Sequence, residues 1–218
     1  MTEGNAVAMT SSKASIGQEP IQKDCEELEG NNEERRKHIK NNAEDKKLRG
    51  KNGMDEQEGT TISSCKFQPA NSNTATCASA HSLGLAKDKF EDQFIEGGDK
   101  EIRSGRAPVM CTKDKFHKGP TMQKSGHAEA RILDALGDKT GVKIVFKIDW
   151  RDGNNKKSNF PCPACQRLMC IAMKECKHEI WLCNNANKPK KLTEDDCELN
   201  KKGIPTRKAQ RLLQKKLR

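Results

Sequence analysis

The C-terminal half of the sequence predicts an α/β fold, for two reasons. Only 33% of the chain is hydrophobic, and these residues are concentrated there. In that half, residues 127–137 and 162–176 have the apolar spacing of helices, whereas residues 142–150 and 178–183 are rich in β-forming residues. A helix, strand, helix, strand order requires crossover connections. It therefore predicts a sheet with parallel neighbours and both helices on one face.

Each of these elements has its own sequence signal. The helix over 127–137 ends at Gly137, and its apolar positions are Ala128, Ile132, Leu133, Ala135 and Leu136. The strand over 142–150 alternates apolar residues with lysines. The helix over 162–176 begins after Pro161. Because aromatic residues on strands usually pack, we expect Trp150 and Trp181 in the core.

The remaining segments are assigned from composition. Residues 1–80 are expected to form a polar leader and linker, and residues 81–218 the folded domain. Within the leader, 25–51 has few apolar residues and predicts either a solvated helix or disorder, and 60–81 predicts a linker. Further candidates are a helix over 85–95, a strand over 107–112 and a basic terminal helix over 206–218 that docks by its apolar side. Residues 190–193 are a weak candidate for a last strand.

Charge is distributed unevenly along the chain. Residues 1–60 carry 10 Lys/Arg and 13 Asp/Glu, so the other 158 residues account for a balance of +13 within the total of +10. A basic domain favours a polyanionic partner such as nucleic acid, although a merely solvated lysine-rich surface is an open alternative. No apolar run approaches the roughly 20 residues of a membrane span. We expect a soluble protein that acts in the cytoplasm, with no membrane partner, and export without a cleavable signal stays open.

The chain has ten cysteines. No secretory signal is visible, so a disulfide framework is not expected. Four cysteines lie among apolar positions and are predicted to be buried free thiols: Cys170, Cys176, Cys183 and Cys197. Pairing among Cys25, Cys65, Cys77 and Cys111 is left open.

Three residues have the spacing of a catalytic zinc site. His127 opens the first predicted helix, and 35 residues later Cys162 and Cys165 open the second, one turn apart. One imidazole and two thiolates leave a fourth position on zinc for water, whose pKa the metal lowers. Glu129, two residues beyond His127, is predicted to face that water and move its proton. A structural zinc knuckle would need a second ligand pair, and the sequence has no other Cys-x-x-Cys or His-x-x-x-His.

These residues resemble a known signature. His127-Ala128-Glu129 with Pro161-Cys162-Pro163-Ala164-Cys165 is similar to the H-x-E…P-C-x-x-C motif of the zinc-dependent cytidine deaminase superfamily. The resemblance implies a three-layer fold with a mixed central sheet and helices on both faces. It implies that zinc-activated water attacks C4 of cytosine, or C6 of adenine, and that Glu129 protonates the ring nitrogen before ammonia leaves.

The resemblance also implies a setting and substrate contacts. Within the superfamily the chain is most similar to the deaminase toxin domains of bacterial polymorphic toxins, which implies action in a competing cell and a cognate immunity protein. The expected substrate-binding residues are Ala128, Phe160, Pro161, Asn184 and Lys188. Phe160 either stacks on a base or anchors its loop, and Lys188 either holds a phosphate or lies on a solvated turn. His117 and His178 are expected at the surface.

The sequence thus predicts a deaminase that converts cytosine to uracil in nucleic acid. Single-stranded DNA is favoured over RNA or duplex because a base must leave its stack to enter such a pocket. Two alternatives stay open. One is a deaminase of RNA or of free nucleosides and nucleotides, and the other is a non-catalytic, zinc-stabilised nucleic-acid-binding module.

Overall fold

The computed structural model describes residues 19–41, 61–69, 72, 75–81, 111, 127–151 and 157–218. The strands are β1 (Ile62–Gln68), β2 (Thr76–His81), β3 (Lys143–Arg151), β4 (Lys157–Ser158), β5 (Glu179–Cys183) and β6 (Pro189–Lys191). The helices are α1 (Glu19–Asn41), α2 (Ala128–Ala135), α3 (Pro163–Glu175) and α4 (Arg207–Leu217), and one 3-10 turn covers Glu194–Cys197.

One mixed sheet organises these elements. Its strand order is β2-β1-β3-β5-β6, and the short β4 pairs with the end of β3. The neighbours β3 and β5 are parallel, whereas β1, β2 and β6 each run antiparallel to their partners. The predicted α/β class with a mixed sheet is therefore confirmed, as is the parallel pair at its centre.

Helices cover both faces of this sheet. Alternation along β3 sends Ile144, Phe146 and Ile148 into the main core, which also holds the buried apolar residues of α2, α3 and α4. The next residue along, Val145, lies on the opposite face in a smaller cluster with Leu28 of α1. The expected three-layer arrangement is confirmed, with α2 and α3 on the same face.

The second face is covered by α1 through polar contacts more than apolar ones. Asn32 donates to the backbone carbonyl of Lys147 at 3.0 Å and accepts from Ser64 at 2.7 Å. Arg36 pairs with the fully buried Asp149 at 3.1 Å. The low apolar content of 25–51 predicted a solvated helix or disorder. In the described part of that segment the helix is present as α1, but one side of it is buried, because charged and amide side chains hold it on the sheet.

The linker expected over 60–81 is also wrong. Its residues form β1 and β2, and β1 lies inside the sheet between β2 and β3. The error has a physical reason, since the buried positions of β1 include Ser63 and Ser64, whose small side chains give little hydrophobic signal. The described fold therefore starts well before residue 81.

The prediction of free buried thiols is corrected as well. Cys170 bonds to Cys197, and the other two disulfides are Cys25–Cys183 and Cys111–Cys176. The partners are 27 to 158 residues apart, so only the fold brings them together. Four cysteines are not disulfide-bonded, namely Cys65, Cys77, Cys162 and Cys165.

The other predicted elements agree within a few residues. The structure has α2, β3, α3, β5 and α4 where the sequence predicted elements over 127–137, 142–150, 162–176, 178–183 and 206–218. The weak candidate over 190–193 is replaced by β6, which begins at Pro189. The helix over 85–95, and the strand over 107–112 apart from Cys111, lie outside the described residues, as does His117. Among the described helices, none is long and apolar enough to cross a membrane.

Candidate metal centre

The three predicted ligands converge. The Nδ1 atom of His127 lies 3.4 Å from the sulfur of Cys162 and 3.4 Å from the sulfur of Cys165. All three ligand atoms lie within 4.8 Å of one another. Zinc binds imidazole nitrogen at about 2.0 Å and thiolate sulfur at about 2.3 Å, so two ligands on one tetrahedral ion are about 3.5 Å apart. The observed separations match that value.

Helix starts at one edge of the sheet create this convergence. The parallel strands β3 and β5 end at the same edge, where α2 and α3 begin. Cys162 is the N-cap of α3 and Pro163 occupies its first turn, so the chain turns sharply into the helix at the ligand. The exposed N–H groups and the dipole at a helix N-terminus stabilise thiolates.

The two thiols have opposite acidities. The pKa of Cys162 is lowered to about 4, above all because the thiol of Cys165 donates a hydrogen bond to its sulfur. That donation and burial raise the pKa of Cys165 well above its usual value. A cation that binds both sulfurs as thiolates would therefore displace one proton, that of Cys165.

Glu129 lies beside this group in the first turn of α2 and is 3% exposed. Burial raises the pKa of its carboxyl. One carboxylate oxygen, Oε2, has no hydrogen-bond partner among the described residues. A buried polar atom without a partner is costly, so this oxygen is suited to a ligand or water molecule that would satisfy it.

The group opens into a cavity of about 270 Å³, which we call the site cavity. Its walls include His127, Glu129 and Cys162, together with Phe160 and Pro161 from the loop before α3. A further wall comes from α4 and the end of the sheet, where the lining residues are Thr61, Trp150, Gln210, Leu213 and Gln214.

Sequence reasoning missed that further wall. The apolar periodicity of 206–218 indicated that α4 would dock, which its buried Ala209, Leu213 and Leu217 confirm. Periodicity alone does not say against which site a helix docks. Trp150 was expected in the core, but it is 41% exposed. Strand alternation places it on the core side of β3, yet beyond the last core residue of that strand, Ile148.

The other expected contacts have mixed outcomes. Phe160 packs against the core, as the loop-anchor alternative requires, and it also lines the site cavity, so its stacking on a base stays a prediction. Ala128 is fully buried in the core and is not among the lining residues. The side-chain oxygen of Asn184 accepts from the backbone N–H groups of Ala186 and Lys188 at 3.0 and 2.8 Å, which stabilises the turn between β5 and β6. Lys188 itself is exposed outside the site cavity.

Two further expectations concern residues away from the site. His178 was expected at the surface, but it is buried, and its Nδ1 accepts from the backbone N–H of Val142 at 3.1 Å. Burial lowers the pKa of His178 to about 4. Trp181 is half-buried against the smaller cluster that contains Leu28 and Val145, and its indole N–H donates to Glu179 at 2.7 Å.

Fold and site together define an α/β protein with a His-Cys-Cys group that could hold a metal ion beside a buried carboxyl group. Comparisons of the chain with models of protein families, with curated proteins and with solved structures found no significant match.

Proposed function

We propose that the protein is a zinc-dependent hydrolytic deaminase that converts cytosine to uracil in nucleic acid, with single-stranded DNA as the favoured substrate. The observation that carries this proposal is the position of Glu129. Its buried carboxyl group, with an unpartnered oxygen, lines the same cavity as His127 and Cys162.

The donor set fits zinc. One imidazole and two sulfurs at tetrahedral separations are typical of zinc sites, and three protein ligands leave one position open. Thiolates disfavour the hard cations Mg²⁺ and Ca²⁺, which prefer oxygen ligands. A bound zinc ion would supply a Lewis acid that lowers the pKa of water.

Glu129 would be the proton carrier in this reaction. Hydrolytic deamination adds water at C4 of cytosine, places a proton on the adjacent ring nitrogen and releases the amino group as ammonia. A carboxyl group with a raised pKa can take a proton from water and return it to a nitrogen at nearly neutral pH. Phe160 and Pro161 on the cavity wall would hold the flat base in place.

Two features support a nucleic-acid substrate in a bacterial setting. The net charge of +13 outside residues 1–60 attracts a polyanion such as nucleic acid, whereas a free nucleoside needs no broad basic surface. The motif also resembles deaminase toxin domains, so we include in the proposal a role as a bacterial effector with a cognate immunity protein.

The test is a deamination assay with a matched pair of variants. Purified protein is incubated with single-stranded DNA that contains cytosine, followed by uracil-DNA glycosylase and alkali. We expect cleavage with the wild type and with Glu194→Gln, whose side chain is exposed on the 3-10 turn, but none with Glu129→Gln.

The outcome of this test separates the alternatives. Equal activity of Glu129→Gln and wild type would overturn the assigned role of the carboxyl group. Activity on RNA, adenine or free cytidine, but not on cytosine in DNA, would keep the enzyme class and replace the substrate. Zinc binding without turnover on any of these substrates would contradict the enzyme and favour the non-catalytic module.

A further inference from the structure

Helix α4 turns several positively charged side chains away from the core. Its buried residues Ala209, Leu213 and Leu217 dock it on the domain. On the remaining surface, exposed cations are linked by spacings of three or four positions, so they lie side by side on one face of the helix. We call these residues the cationic face: Arg207, Lys208, Arg211 and Lys215.

The charges of the cationic face are not used in ion pairs with the described part of the chain. Lys216, by contrast, lies on a different side of α4 and pairs with the buried Asp196 at 2.5 Å. That side of the helix packs on the acidic 3-10 turn. The acidic residues of the turn are therefore met by Lys216, and the cationic face keeps its positive charge available to a ligand.

Helix stability does not explain this placement of charge. Arg207 and Lys208 occupy the first turn of α4, where the dipole of a helix disfavours positive charge. Arg207 and Lys215 each lie four residues from Arg211, and like charges at that spacing repel one another. The cationic face thus opposes the local electrostatics of its own helix, and a bound polyanion would relieve that repulsion.

The cationic face borders the site cavity. Gln210 and Gln214 line that cavity, and each follows a residue of the cationic face, Arg207 or Arg211, by three positions. Residues three positions apart are neighbours on a helix surface. The described lining of the site cavity contains no lysine or arginine, so the phosphate of a bound nucleotide must be met outside it. The cationic face begins one helical turn from the cavity wall.

We propose that the cationic face binds the phosphodiester backbone of the nucleic acid whose base enters the site cavity. Arg207, Arg211 and Lys215 follow one another at about 6 Å along the helix axis, so together they suit a chain of phosphates. A mononucleotide would leave most of these charges unused. Backbone contacts position a nucleic acid without reading its sequence. This inference rests on the proposed function, because it takes the substrate to be a nucleic acid.

The test measures how binding depends on salt. The ligand is a fluorescent all-thymine DNA strand, which contains no target base, and its affinity is followed by fluorescence anisotropy at several salt concentrations. Each phosphate contact to a single strand contributes about 0.7 to the slope of log K against log salt. We expect Arg207→Gln/Arg211→Gln to lower this slope by about 1.4 and to weaken binding about 10- to 30-fold near 0.1 M salt. Lys215→Gln alone should lower the slope by about 0.7.

A control with the same loss of net charge is available at the far end of α3. Lys174 and Lys177 are exposed, and α3 places them about 20 Å from its first residues at the metal centre. The control variant is Lys174→Gln/Lys177→Asn, with asparagine at 177 because the φ angle there is 57°. We expect its slope and affinity to stay near those of the wild type. Circular dichroism checks that both double variants fold.

Failure of this inference is distinguishable from failure of the proposed function, since the thymine strand cannot be deaminated. Unchanged binding by Arg207→Gln/Arg211→Gln would overturn the inference even where the wild type deaminates cytosine, and would favour an acidic protein as the partner of the cationic face. Equal losses in the two double variants would also overturn it, because net charge alone would then explain binding. A selective loss in a protein that deaminates nothing would keep the cationic face as a nucleic-acid site and remove the enzyme. The same selective loss with a duplex, but not with the single strand, would support the inference with duplex as the bound form.

Discussion

Cys25 on α1 is disulfide-bonded to Cys183, the last residue of β5, which joins helix α1 to the central sheet. The two cysteines are 158 residues apart in the chain. Around this bond, α1 makes ion pairs with the face of the sheet opposite the main core: Lys66 with Asp24 and Glu27, Arg151 with Glu33, and Lys157 with Glu29 and Glu33.

The disulfide should contribute strongly to stability because it closes a long loop. We expect Cys25→Ser to lower the free energy of unfolding by about 2–5 kcal/mol, measured by urea denaturation. Hydrogen exchange of the α1 amides should accelerate more than that of β3. The matched control is Cys77→Ser, since Cys77 is a half-buried free thiol and serine retains a donor for Glu27. A loss no larger than the control's would contradict a stabilising bond between α1 and the sheet.

The buried ion pair between Arg36 and Asp149 should be costly to break. Asp149 is fully buried, and its carboxylate lies 3.1 Å from Arg36 and 3.2 Å from Arg151. Asp149→Asn removes the carboxylate that faces the buried guanidinium of Arg36, so we expect the free energy of unfolding to fall by about 3–5 kcal/mol in urea denaturation.

An exposed pair supplies the control for that variant. Lys191 and Glu179 lie 2.6 Å apart, but their side chains are 49% and 40% exposed. Lys191→Met should change stability by less than about 1 kcal/mol. If Asp149→Asn and Lys191→Met lower the free energy of unfolding equally, the buried ion pair contributes no more to stability than the exposed one.

The sequence predicted the elements whose signal is local. The strand β3 and the helices α2 and α3 have regular apolar periodicity, and the ligands His127, Cys162 and Cys165 each lie at a helix start. Because helix starts meet at the edge where parallel strands end, their convergence follows from element order as well.

What the sequence did not predict depends on contacts between distant segments. The helix α1 and the strand β1 are stabilised by buried amides, serines and ion pairs, which look like solvated residues in a pattern of hydrophobicity. Disulfide pairing and the exposure of Trp150 likewise depend on where the chain returns in space. A one-dimensional pattern carries no such information, so the place of β1 in the sheet and the docking of α1 required the structure.

Metal binding should depend on His127 and not on the buried His178. We expect the protein to bind about one zinc ion per chain, measured by atomic absorption, and His127→Asn to lose it. His178→Asn is the matched control and should retain zinc, because His178 contacts Val142 rather than the thiols. Chelation should lower the melting temperature of the wild type, since a ligand at 1,000 times its dissociation constant stabilises by about 4 kcal/mol. Equal zinc content in both variants would rule out the assigned ligand set.

His178 should make stability depend on pH below neutrality. Its pKa is lowered by burial from 6.5 to about 4 in the folded protein, so the unfolded chain binds a proton first as the pH falls. The unfolding free energy contributed by this residue should therefore be constant above pH 6.5 and decrease between 6.5 and 4, by at most about 1.4 kcal/mol per pH unit. The measurement is urea denaturation across that range. In His178→Asn the amide oxygen can still accept from the N–H of Val142, but it does not titrate. The slope of the unfolding free energy against pH should therefore be smaller, by up to the value for one proton, about 1.4 kcal/mol per pH unit. Parallel pH profiles for wild type and variant would mean that the imidazole titrates alike in both states.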